Sequence, residues 1–266
     1  MENKKYVIGA DIGGTTVKLG LFEEDGTLLE KWEIPTVIEG DGTAVLRDIA
    51  AEIQKCREKH NIPADGILGV GAGIPGPVTA DGVVHRCVNL GWGVFDVRTA
   101  LEETVGLPVV VVNDANAAAM GETWKGGGRG SENVVFITLG TGVGGAVISD
   151  GRMVAGANGA AGEFGHMTIN PAETETCACG RRGCVQQYVS ASGIARLARK
   201  YLAEHEEESA LRSVKKLTTK DVFDAAKNGD SAANAILENV YDAFGYAISA
   251  VCTVACLLYT SPSPRD

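Results

Sequence analysis

An α/β fold organised as two α/β domains is what this sequence predicts, and three observations carry that expectation. Short apolar runs of strand length alternate with stretches of helical period. A strand, a glycine turn and a second strand occur together twice, at 6–22 and again at 134–149, which reads as two related halves. The chain has 266 residues, 45% hydrophobic and 22% charged, enough for one large or two modest cores.

Taken in order, Tyr6 to Ala10 is a short apolar strand, Asp11-Ile12-Gly13-Gly14-Thr15-Thr16 a turn, and Val17 to Phe22 a second strand. Glu24-Asp25-Gly26 turns into a third strand, Leu28 to Ile34. Over 43–59, Val45, Leu46, Ile49, Ile53 and Cys56 keep a helical period. Ile67 to Ala72 is a buried strand, Thr99 to Val105 a short helix, and Pro108 to Val112 a fully apolar strand. A helix starts at Asp114, with Asn113 or Asp114 as its N-cap. The pattern then restarts: a strand at Val134 to Leu139, a turn at Gly140 to Gly145, and a strand at Ala146 to Ser149. Helices are expected at about 186–203, 219–228 and 231–255, the last with Ile236, Val240, Phe244, Ile248 and Val251 as its core stripe. The expected domains are 1–115, an N-terminal α/β domain, and 116–256, a C-terminal one with an insert and an incomplete end. Residues 257–266, rich in Ser and Pro, read as an unstructured and foreign tail.

Net charge is -10 and the pI about 5.0, which argues against a nucleic-acid partner. No apolar run reaches eighteen residues, so no membrane span is expected. The N-terminus enters a strand at once without a signal-peptide core. Seven cysteines, an odd number with three clustered, suit a reducing compartment, and a cytoplasmic protein is expected.

Three constellations carry chemistry. Cys177-Ala178-Cys179-Gly180-Arg181-Arg182-Gly183-Cys184 is a C-x-C-x4-C array with His166 eleven residues upstream. Three thiolates and an imidazole are a closed tetrahedral set for Zn²⁺, structural and without an open position. The backbone N–H groups at Gly13 and Gly14 and the hydroxyls of Thr15 and Thr16 form a cradle for phosphate oxygens, with Asp11 placed to hold Mg²⁺. Gly140-Thr141-Gly142-Val143-Gly144-Gly145 matches G-x-G-x-x-G but is followed by a strand. A dinucleotide site, which needs a helix there, is disfavoured against a second phosphate turn. Asp114 sits at a strand-to-helix junction, where ligands lie in open α/β sheets. It is either a helix cap or, beside two phosphate turns, the general base for a hydroxyl nucleophile. Asn113 is placed to bond the same polyol. Glu163 lies three residues before His166 and is held near it.

The strings DIGGTT, GIPGPV, NLGW, NDANAAAMGE, TLGTGVGGA, GEFGH and CACGRRGC, in this order over about residues 6–190, resemble the ROK family of sugar kinases and repressors. The start directly at DIGGTT resembles its kinase branch. The resemblance implies an actin-like ATPase (ribonuclease H-like) fold, two α/β domains around a cleft. It implies ATP-dependent phosphorylation of a hexose at the 6-hydroxyl, glucose foremost. Other sugars of the family, or a catalytically impaired sugar-binding fragment or regulator, are the alternatives. By matching position, Asp114 is the catalytic base. Asn113, Asp114, Glu163 and His166 contact the sugar, Gly13, Gly14, Thr15, Gly140, Thr141 and Gly142 the ATP phosphates, and His166, Cys177, Cys179 and Cys184 bind zinc. His166 would turn its other nitrogen to the sugar. Two departures stand out. Gln186 occupies a sugar-contacting position where the family usually has Glu. The family's C-terminal adenosine-binding segment is replaced by the Ser/Pro tail. A homodimer is expected of the complete protein.

Overall fold

In the computed structural model of this protein, residues 4–39, 42–85 and 87–255 are described. Cys256 and the tail at 257–266 lie outside them. Of the described residues, those up to Gly126 together with Ala155–Ala161 make one compact unit. Gly127–Val154 and those from Gly162 on make the other.

The first unit is built on a five-stranded sheet of β1 (Tyr6–Ile12), β2 (Thr16–Glu23), β3 (Leu28–Pro35), β4 (Ile67–Ile74) and β7 (Val109–Asn113), in the order β3-β2-β1-β4-β7. β1, β2 and β3 pair antiparallel through tight turns, whereas β4 and β7 run parallel to β1. The parallel pairs need crossovers. Helix α1 (Ala44–Lys59) precedes β4, and α2 (Val97–Val105) precedes β7. A short ribbon, β5 (Val83–Val84) with β6 (Phe95–Asp96), lies in the β4–α2 connection. The period-2 pattern of β1 sends Ile8, Ala10 and Ile12 into the core and leaves Asp11 exposed. Leu19 and Leu21 of β2 join them, and α1 contributes Val45, Leu46, Ile49, Ile53 and Cys56, the residues its sequence period marks. Each fully buried Ile or Leu contributes roughly 1.5–3 kcal/mol. After β7 comes α3 (Asp114–Lys125), which packs on β4 and β7 and so stays within this unit; a junction at 115 would cut it off from its packing partners. Ala155–Ala161 belongs here because Gly159 lies directly against the Val78 backbone.

The second unit opens with three antiparallel strands, β8 (Val134–Leu139), β9 (Val143–Ser149) and β10 (Arg152–Met153). α4 (Gln186–Val189), α5 (Ala191–Glu204), α6 (Thr219–Lys227) and α7 (Ser231–Val254) follow. The expected turn at 140–145 is shorter: Leu139 pairs with Val143, Thr138 with Gly144 and Ile137 with Gly145, so the last two glycines of the string are already strand. Thr16, likewise, pairs in β2 with Pro35. The single helix expected at 186–203 is two helices. Ser190, extended at ψ 163, breaks it and caps α5 by accepting from the Gly193 N–H. The core stripe of α7 is Ile236, Val240, Ala243, Ala247 and Val251; Ile248 is exposed. A strict i+4 progression drifts by about 40° per step around a helix of 3.6 residues per turn. A step of three among the steps of four, from Val240 to Ala243, brings the stripe back onto one face.

Candidate functional site

In the first unit, Asp114 stands where β7 ends and α3 begins. Asn113 caps that helix: its Oδ1 accepts from the Asn116 N–H at 3.1 Å, and its Nδ2 donates to the Gly76 carbonyl at 3.0 Å. The same side chain also hydrogen-bonds to the Asp114 carboxylate and draws its pKa down a little. Asp114 is accessible to solvent, and its Oδ1 accepts from the Ala115 N–H at 2.8 Å. The protein packed around it pushes its carboxyl up from the usual range, the negative charge of Asp11 pushes further, and the Ala115 N–H pulls part of the way back. Asp11 pairs loosely across the hairpin with Lys18, Nζ to Oδ2 3.6 Å, both half exposed.

The turn between β1 and β2 closes by a hydrogen bond from the Gly13 N–H to the Thr16 carbonyl at 3.0 Å. Thr36 fixes it from the end of β3: its hydroxyl donates to Gly13 O at 2.6 Å and its N–H to Thr15 O at 2.9 Å. Gly14 lies against Asn89, where a Cβ would sit 2.9 Å from Asn89 Cβ. Asn89 is therefore the floor of this turn.

In the second unit the turn at Gly140-Thr141-Gly142 is held in the same manner but by a helix start. The Ala191 N–H donates to Gly140 O and the Ser192 hydroxyl to Thr141 O, both at 2.8 Å. The Gly140 N–H closes the turn on Gly142 O at 3.0 Å, so the groups left to it are the Thr141 and Gly142 N–H groups and the Thr141 hydroxyl.

The cysteine array converges with His166. One ligand atom from each of His166, Cys177, Cys179 and Cys184 lies within 4.8 Å of every other. Cys179 Sγ and Cys184 Sγ are 3.6 Å apart, and Cys177 Sγ and His166 Nδ1 are 3.9 Å apart. A tetrahedron of about 2.3 Å zinc–sulfur bonds has edges of about 3.7 Å, so the donor set fits the ion. Gly183, at φ 68, passes so close to Asn170 O that a Cβ would lie 1.8 Å away, which fixes the loop's return path. Burial pushes the Cys179 thiol up, but hydrogen bonds from the Arg181 backbone and side chain outweigh it and bring it to about 7. Burial, with the neighbouring sulfurs, pushes Cys184 up to about 12. Crowded thiols of this kind deprotonate together only with a cation among them. His166 Nε2, on the far side of the ring, is 4.0 Å from Glu163 Oε2. Gln186 donates from Nε2 to Cys177 Sγ at 3.1 Å, and its Oε1 comes close to Gly142 and Gly165.

The predicted residues thus fall into two sets, each brought together within its own unit. Asp11, Gly13, Gly14, Thr15, Thr16, Asn113 and Asp114 are in the first; Gly140, Thr141, Gly142, Glu163, His166, the three cysteines and Gln186 are in the second. Sequence reasoning assigned no role to Thr36, Asn89 or Ser192, which hold the two turns. The repeat itself was a signal, since each strand–turn–strand unit needs something to hold its turn. Nor did it find Glu173, whose nearly buried carboxylate accepts from the Thr174 and Glu175 N–H groups, the Tyr188 hydroxyl and Arg196 Nη2. Burial pushes this carboxyl up, but these donors, led by the Glu175 N–H, outweigh it and hold it at about 2.

The fold is that of the actin-like ATPases. The chain belongs to the ROK family, whose model matches residues 7–256. It is 41% identical over 249 residues to a glucokinase of Halalkalibacterium halodurans, covering 92% of this chain and 76% of that protein. A glucokinase of Thermotoga maritima is 36% identical over 251 residues, covering 92% and 77%. Among solved structures, the ROK family glucokinase from Streptomyces griseus in complex with glucose and AMPPNP matches with a TM-score of 0.74 and 32% identity, over 94% of this chain and 80% of that one.

Proposed function

We propose that this protein is a sugar kinase that transfers the γ-phosphoryl group of ATP to the 6-hydroxyl of glucose. The observation that carries the reading is Asp114: an accessible carboxylate at the C-terminal end of a parallel strand, raised in pKa by its surroundings and by Asp11. A base of that kind is matched to a hydroxyl nucleophile near neutral pH. Family membership and the glucokinases among the relatives support the substrate.

In this reading Asp114 takes the proton of the sugar hydroxyl as its oxygen attacks the γ-phosphorus in line, and ADP leaves. The Asn113 amide and the groups of Glu163 and His166 Nε2 orient the sugar. The N–H groups of Gly14, Thr15, Thr141 and Gly142 receive the phosphates, with the Thr16 hydroxyl beside them, while Gly13 and Gly140 use theirs to close the two turns. Positioning and charge neutralisation supply most of the acceleration. Asp11, exposed and only loosely paired, is the residue for Mg²⁺, which neutralises phosphate charge when bound. His166, Cys177, Cys179 and Cys184 would hold a structural zinc that would supply no chemistry, and His166, ligating through Nδ1, would keep its Nε2 in place. Gln186, bonded to Cys177, replaces a charged sugar contact with a neutral one. We place the enzyme in the cytoplasm as a homodimer. The described cysteines, all free thiols, agree with a reducing compartment, and no described helix is long and apolar enough to cross a membrane.

The test is a coupled ATP-consumption assay over a panel of sugars. Glucose-dependent ADP release, with glucose 6-phosphate as product, is expected. Preference for N-acetylmannosamine, N-acetylglucosamine, mannose or fructose would replace the sugar and keep the reaction. No sugar-dependent turnover at any concentration would overturn both.

A further inference from the structure

A second set of metal-type donors meets in the first unit, in residues that the proposed reaction does not use. Glu30 on β3, Cys56 on α1 and His60, the residue that ends α1, place one ligand atom each within 4.8 Å of one another. The helix accounts for two of them. Cys56 and His60 are four residues apart and share a face. It is the same spacing by which paired helical histidines grip zinc. The neighbouring strand supplies the third donor.

The present partners of these groups show how an ion would enter. His60 Nε2 lies 2.5 Å from Glu30 Oε2, with a single proton between them. The other carboxylate oxygen, Oε1, pairs with Lys59. An ion taking the place of the shared proton therefore leaves the Lys59 pair intact, and Lys59 then offsets part of the site's charge. The His60 and Glu30 side chains are 31% and 23% exposed, which gives an entry path, while Cys56 is buried beneath them. Thiolate and imidazole are poor partners for hard ions such as Mg²⁺ or Ca²⁺ and good ones for borderline transition metals.

We infer that Glu30, Cys56 and His60 bind one borderline divalent ion of the zinc class, with water in the fourth position. On binding, the Cys56 thiol gives its proton to solvent, and the proton shared with Glu30 moves to Nδ1 of the His60 ring, or to solvent where Nδ1 already carries one. The ion clamps the end of α1 to β3, so occupancy stabilises the first unit by mass action. The site is independent of the His166 cluster, which lies in the other unit.

Titrating zinc alone into metal-stripped protein, in competition with a chromophoric chelator, tests this. Two phases are expected, a tight one from the closed set of one imidazole and three thiolates and a weaker one from this site. His60→Gln, a surface change, should weaken only the second phase, by at least the ~10–100-fold that loss of even an outer partner costs. Cys56→Ser, close in volume, should do the same. Cobalt gives an independent readout: thiolate charge-transfer absorption in the weaker phase that persists in Cys179→Ser and disappears in Cys56→Ser. A parent protein with no phase beyond the tight one, or a weaker phase unchanged in His60→Gln, overturns the assignment. Loss of the tight phase alone would count against the other zinc site and leave this one standing.

Discussion

Gln186 donates a hydrogen bond to the sulfur of Cys177 at 3.1 Å. One residue thus touches the metal-type cluster and stands at the position proposed to contact the sugar. Only an amide can do this; a carboxylate has no N–H to offer and would repel a thiolate. Gln186→Glu should therefore raise KM for sugar and loosen zinc together while moving kcat little. Steady-state kinetics alongside chelator competition reads both. A changed KM with unchanged zinc affinity would show that the bond to Cys177 is incidental.

Asp114→Asn preserves shape and hydrogen bonding but cannot accept a proton. Turnover should fall by about 10²–10⁴-fold with sugar affinity nearly unchanged. A variant within a few-fold of the parent would leave Asp114 as nothing more than the first residue of a helix.

The charge of Asp11 helps to raise the Asp114 carboxyl. The base must be ionised to work, so kcat/KM should fall as pH drops through its pKa. Removing the Asp11 charge lowers that pKa, and Asp11→Asn should shift the acid limb of the kcat/KM profile to lower pH, whatever it does to the plateau. An unmoved or upward-shifted limb would assign the titration to another group.

Cys179→Ser should lose the tightly held zinc, read as metal per chain after desalting. Because structural zinc contributes folding free energy, its thermal midpoint should fall too. Near-zero zinc in the well-folded parent protein would contradict the site.

Glu173 is held at about 2, below its ordinary 4.5. A depressed carboxyl contributes stability that is present above about pH 4.5 and lost as pH falls toward 2; the shift corresponds to about 3 kcal/mol. Glu173→Gln should lose about that much near pH 7, and the gap between variant and parent in urea melts should close as pH falls toward 2. A gap that is constant with pH would mean that packing, not charge, is what the carboxylate supplies.

Much of this was legible in the residues. Strands β1, β2, β3, β4 and β7 and helix α1 follow from period, and the His166–Cys184 cluster from spacing. What was not legible depends on partners distant in sequence. The 186–203 stretch carries one continuous helical pattern, and only the demand for a cap at Gly193 makes Ser190 break it. Ile248 looks like core because the long helix is apolar on more than one side, yet Ala243 and Ala247 are the buried residues there and Ile248 is exposed. Glu173 reads as an ordinary surface acid until Tyr188 and Arg196, 15 and 23 residues on, close over it.

The break at Ser190 makes α4 a spindle of four residues, about 6 Å long at 1.5 Å per residue. Its first residue, Gln186, is tied to the sulfur cluster. Shortly beyond its last, Ser192 is tied to the carbonyl of Thr141. Gln186 also lies directly against Gly142 of the glycine turn. A displacement of the sulfur loop therefore reaches that turn through a shared neighbour. Chelation should then reach the nucleotide as well as the sugar, without a single nucleotide contact having been altered.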